Sequence, residues 1–147
     1  MMVNAAPETA EPDQGPGSAE SAVTGAAYGV LFMLGLVLGV VGAFEHEWYL
    51  SGTLPIGGIL AVLVVFAVPY AMGRLMVTRL AAGVVAVGWV IPSMILAGPR
   101  PEGDLAIAAT LGGYIYLYGG LVAVALAVAL VPSSGGSWLL RQNVHIR

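Results

Sequence analysis

The sequence predicts an all-α fold, a membrane-embedded four-helix bundle behind a disordered acidic N-terminal tail. Mean hydropathy is +0.91, and only 9% of the 147 residues are charged, against roughly 25% in an ordinary soluble domain. Four apolar stretches follow one another with short polar connections, each close to the ~20 residues that a helix needs to cross ~30 Å of hydrocarbon. The stretches are continuous rather than alternating in polarity, which argues against barrel strands.

Composition also excludes whole classes of function. Lysine is absent, and the basic residues are Arg74, Arg79, Arg100, Arg141 and Arg147. A nucleic-acid surface has nothing to be built from, so nucleic acid is not an expected partner. Without cysteine the chain has no disulfide, no thiol redox chemistry and no cysteine ligand for zinc or an iron–sulfur cluster. The lipid bilayer is the partner that this composition demands.

Taken in order, residues 1–23 carry Glu8, Glu11, Asp13 and Glu20 with no basic side chain, and read as a disordered acidic cytoplasmic tail. A secretory signal needs a positive start, so the tail is expected to be retained. The four spans are placed at about 24–44, 54–72, 80–97 and 108–131. The fourth stretch is longer than one helix requires, so its helix is expected to tilt or to start late. Residues 132–147 form a short basic cytoplasmic tail, with Trp138, Leu139 and Leu140 beside Arg141 suited to the membrane surface. An even number of spans collects Arg74, Arg79, Arg141 and Arg147 on one side and leaves Arg100 alone on the other. That asymmetry predicts a multi-pass plasma-membrane protein with both termini cytoplasmic.

No Asp, Glu, Lys, Arg or His falls within a proposed span, so proton-coupled transport and haem ligation between helices are disfavoured. Glycine is what the spans contain. Gly25 and Gly29 form one GxxxG and Gly35 and Gly39 another, with Gly42 seven residues after Gly35. At 100° per residue the two sets mark different faces of the first helix. Gly112, Gly113, Gly119 and Gly120 repeat the pattern in the fourth, and Ala82 and Ala86 offer small residues in the third. Such stripes serve packing within the chain or an interface with a second copy or a larger membrane protein. Of the "YIYLYGG" run, Tyr114 and Tyr118 share a face and Tyr116 points elsewhere. Pro69 and Pro92 bend or loosen their helices, and Ser93 is placed to satisfy freed backbone.

The loops hold the remaining polar groups. Glu45, His46 and Glu47, with Glu102 and Asp104 in the next outer loop, would suit a divalent metal only if the loops met. The expectation is a solvated, membrane-flanking set with no metal and no other cofactor. "GPRPEGD" reads as a turn: Pro99 and Pro101 stiffen it, Gly103 permits a positive φ, and Asp104 caps the fourth helix with Glu102 near its positive end. Arg100 is free to pair with either carboxylate or with a lipid phosphate.

Arg100, Pro101, Glu102, Gly103 and Asp104, followed by "YLYGG" and preceded by "GVLFMLGLVLGVVGA" in the first helix, resemble an uncharacterised family of small actinobacterial membrane proteins. The resemblance covers roughly residues 28–131 and implies a four-helix integral membrane protein, with no activity or site residues to carry over. Chemistry and resemblance together predict a non-enzymatic accessory, scaffolding or assembly subunit that packs through its glycine faces. The alternative is a small oligomeric channel or transporter for an uncharged or weakly polar solute, with residues 114–120 lining its path.

Overall fold

A computed structural model describes residues 16–99, 101, 103 and 106–132 of the chain. It contains α1 (Pro16–Glu45), α2 (Ile56–Leu75), α3 (Arg79–Ala97) and α4 (Leu111–Leu130). Within α4, Ile115–Gly119 is wound as a π-helix. All four helices are long and apolar enough to cross a membrane. Among the described residues there is no β-strand, only an isolated bridge between Leu50 and Leu54.

Two helix starts differ from the sequence reading. The helix α1 begins at Pro16, so residues 16–23 are helical where a disordered tail was expected. Proline suits the first helical position because its missing N–H has no partner there in any helix. The alanines that follow, Ala19, Ala22, Ala26 and Ala27, are the strongest helix formers. At the other end of the chain α4 starts at Leu111, not at 108, with Thr110 as its N-cap. The rest of the expected tail, residues 1–15, and the C-terminal segment 133–147 with Trp138, Arg141 and Arg147 lie outside the described residues, as do Arg100, Glu102 and Asp104.

The helices are not arranged as a symmetric square. The most extensive contact is that of α1 with α3, while α2 packs on both α3 and α4 and touches α1 only lightly, so α3 is the element most heavily engaged by the others. Small residues make the α1–α3 contact possible. A Cβ on Gly35 would collide with the Val85 carbonyl and stand 2.9 Å from the Gly88 Cα, and one on Gly88 would stand 2.5 Å from the Phe32 carbonyl. One turn further on, Gly39 lies against Pro92, whose ring is buried inside α3. Hydrocarbon supplies no hydrophobic drive for helix association, so backbones brought this close gain their stability from dispersion.

The end of the bundle that carries Arg74 and Arg79 is tied by backbone and arginine. Thr78 N–H donates to the Gly73 carbonyl at 3.0 Å and Val77 N–H to the Arg74 carbonyl at 3.3 Å, the paired bonds of a Schellman ending. The residue that turns the chain is Val77, at φ 51°, a conformation that crowds a β-branched side chain and normally belongs to glycine. Arg79 Nε donates to the Val131 carbonyl at 2.8 Å, joining the start of α3 to the end of α4. Arg74 bonds the Tyr70 hydroxyl at 3.2 Å and lies over its ring.

Two stability changes of opposite sign follow. Val77→Gly removes about 1–2 kcal/mol of left-handed strain, less the backbone entropy of glycine, and is expected to raise the thermal midpoint in detergent. Gly35→Leu is expected to lower it by at least the ~1–3 kcal/mol of an overpacked core, whereas Gly25→Leu, with nothing within 4 Å of the new Cβ, leaves it unchanged.

Candidate functional site

The polar groups of the bundle gather at the end opposite Arg74 and Arg79. Continuing the Gly35, Gly39, Gly42 stripe by one turn along α1 leads to His46, whose N–H still makes the helical bond to the Gly42 carbonyl at 3.2 Å. The stripe faces inward, so the imidazole is carried inward with it: His46 is fully buried. This corrects the expectation of a solvated His46. Glu45 and Glu47 on either side remain exposed.

Tyr116 receives the imidazole. The two rings stack with centroids 5.8 Å apart, and the Tyr116 ring fills the space left by the missing side chain of Gly42. Its hydroxyl donates to the Gly39 carbonyl at 2.9 Å and is 3.0 Å from Ser93 Oγ. Because the tyrosine proton is committed to the carbonyl, the serine hydroxyl is the donor of that second bond. Ser93 was expected to satisfy backbone freed by Pro92; its hydroxyl instead crosses to α4. One phenol thus ties α1, α3 and α4 together, with the His46 imidazole and the Trp89 indole against its ring.

Trp89 completes the column. It is fully buried, meets the Tyr116 ring edge-on at 5.6 Å, and lies against Gly120, where any side chain would collide with the indole. The indole N–H and both imidazole nitrogens make no hydrogen bond among the described residues. The closest approach is His46 Nε2 to Glu47 Oε1 at 3.3 Å, outside hydrogen-bond geometry.

The loop after α1 also caps α4. Thr110 Oγ1 accepts from Gly113 N–H at 3.2 Å and donates to Glu47 Oε1 at 2.8 Å, and the Tyr49 hydroxyl accepts from Gly112 N–H at 3.0 Å. A carboxylate beside unpaired helix-start N–H groups is electrostatically favoured. The capping role expected of Asp104, a residue outside the described set, is therefore filled by Thr110, with Glu47 and Tyr49 in support. Gly103 does adopt the positive φ expected of it, 78°.

Of the glycines singled out in the sequence, Gly35, Gly39 and Gly42 pack inside the fold. Gly112 rests on the His46 carbonyl, Gly113 on its own loop at Ala108, Gly119 on Val62 and Gly120 on Trp89. Gly25 and Gly29 meet nothing within 4 Å. Tyr114 and Tyr118 stack on each other at 6.1 Å on an exposed face, while Tyr116 is interior, so the three do not line one path. Among the described residues no three His, Asp or Glu side chains come together as a metal cage.

A family model described as a family of unknown function, DUF6113, matches residues 11–137. The chain belongs to that family. No curated protein and no solved structure matches it. In this DUF6113 chain the geometry of the site joins helices and encloses its polar atoms. Gly88, Ser93 and His46 are the residues whose part in it the sequence reading missed. Gly88 was detectable, since it follows Ala81 by the same seven residues that separate Gly35 from Gly42.

Tyr116→Phe is expected to lower stability in detergent by about 0.6–1.7 kcal/mol, the range for a hydrogen bond between membrane helices. Ser93→Ala made in that background should add almost nothing, because the serine has already lost its acceptor; full additivity in a double-mutant cycle would break the proposed connection.

Proposed function

We propose that the protein is a non-enzymatic, multi-pass plasma-membrane protein that acts as an accessory or assembly subunit, and that it meets its partner, a second copy or a larger membrane protein, through the first half of α1. The observation that carries this reading is the division of labour between the two GxxxG pairs. Gly35 and Gly39 are consumed by α3, whereas Gly25 and Gly29 open onto a face with nothing within 4 Å. Val23 and Val30 beside them are 70% and 68% exposed. A second helix can approach such a face as closely as α3 approaches Gly35.

Two further features support the reading. The Ser93 and Tyr116 hydroxyls and the His46 and Trp89 ring nitrogens are enclosed within the helix contacts, so among the described residues no nucleophile, base and oxyanion donor converge on an open cleft. Arg74 and Arg79 stand at the opposite end of the bundle from Glu45 and Glu47, which favours cytoplasmic termini under the positive-inside rule. The solute-path alternative draws less support, because Tyr116 is locked in the interior and Tyr114 and Tyr118 face outward.

Gly25→Ile with Gly29→Ile is expected to abolish co-purification of differently tagged copies, or of a cross-linked partner, from native membranes in mild detergent. The folded monomer should keep its thermal midpoint. An undiminished complex in the double variant would reject the α1 interface.

A further inference from the structure

We infer that the cleft between α1 and α2 is a binding site for one bilayer phospholipid with a primary-amine headgroup, its acyl chain in the cleft and its ammonium at Glu45. The inference goes beyond the proposed function and shares with it only the premise that the helices cross a bilayer.

The two helices meet closely at their connected ends, where Gly57 N–H donates to the Trp48 carbonyl at 2.9 Å and the Gly57 Cα packs against the Glu45 carbonyl. Away from this clasp α1 follows α3 while α2 turns to α3 and α4, and the pair splays. The resulting cavity, about 240 Å³, has Gly42 and Gly57 in its walls, is lined by Leu38, Val41, Leu60 and Val64, and has Glu45 and Trp48 at its rim. A dry apolar cavity of about 150 Å³ already accepts a benzene ring, so the space takes a hydrocarbon segment with ease. Val41, Leu60 and Val64 are 53%, 53% and 44% exposed, so the cleft opens sideways, where the neighbouring medium of a membrane-spanning helix is lipid. From Leu38 to Glu45 it follows α1 for about 10 Å, the upper part of one leaflet of a ~30 Å core.

Charge at the rim selects the headgroup. Glu45 is the last residue of α1, so its carboxylate sits at the negative end of a thirty-residue helix, where an anion is disfavoured and a cation favoured. No ion pair to Glu45 occurs among the described residues. An ammonium with three N–H donors satisfies this rim; a headgroup of net negative charge is repelled by it. Trp48, 69% exposed, stands where indoles anchor at the membrane interface.

The test is native mass spectrometry of the delipidated protein titrated with phosphatidylethanolamine, phosphatidylcholine and phosphatidylglycerol of identical chains. It is paired with labelling by a phosphatidylethanolamine that carries a photoreactive group in its acyl chain. Phosphatidylethanolamine should be retained about two- to fivefold over the others, the size that one exposed charge pair supports. Glu45→Gln should erase that preference, and Ala61→Phe, which fills the cleft from its α2 wall, should reduce retention of all three lipids. Labels should fall on the peptides spanning 38–45 and 57–65. Equal retention of the three lipids, a preference that survives Glu45→Gln, or labels spread evenly over all four helices would each overturn the inference. A protein that fails to float with vesicles would instead overturn the membrane premise shared with the proposed function, so the two failures are distinguishable.

Discussion

The close approach of α1 to α3 at Gly35 and Gly88 is the contact on which the rest of the structure rests. In water a helix pair is driven together by expelling solvent from apolar faces; between helices bathed in hydrocarbon that drive is absent and atomic fit must replace it. Two glycines facing each other bring the backbones near enough for carbonyl and Cα atoms to touch. Once that spacing is set, Gly39 meets the Pro92 ring and Gly42 receives Tyr116, so the α1–α3 approach also fixes the position of α4.

The polar groups obey a corresponding constraint. A hydroxyl in hydrocarbon must find a partner within the protein, and the bundle meets this demand for its buried hydroxyls Ser93 and Tyr116 at one point, where they and the Gly39 carbonyl form a short chain of donors and acceptors. The local π-helix at Ile115–Gly119 surrounds that point. Such bulges frequently accompany functional positions, and this one carries Tyr116, which is buried while Tyr114 and Tyr118, on the opposite face, stay exposed.

What was legible in the sequence divides along physical lines. Span positions follow from hydrophobicity, a property each residue carries by itself, and α2 and α3 fall within two or three residues of their expected limits. Which glycine is used depends on the neighbour it meets. Nothing in the GxxxG spacing distinguishes Gly35 and Gly39, pressed on α3, from Gly25 and Gly29, which face open space. His46 was misjudged because it was assigned to a loop by its polarity, although its spacing of four from Gly42 and seven from Gly39 places it on the packed face. The Thr110 cap was missed because the apolar run before Leu111 looks as helical as the run after it, and the decisive contacts, to Glu47 and through Tyr49, come from a loop some sixty residues earlier.

The order of the helices along the chain has a consequence for biosynthesis. The surface that α1 fits belongs to α3, and Gly88 follows Gly35 by 53 positions. At ~5–20 residues per second the ribosome needs about 3–10 s to make the intervening segment. For a chain inserted pair by pair into a bilayer, the first hairpin is clasped only at its turn during that interval, with Gly35, Gly39 and Gly42 of α1 uncovered. Insertion of the second hairpin is therefore also the event that closes the first, and the nascent chain has a defined period in which its glycine stripe is open to any other membrane helix.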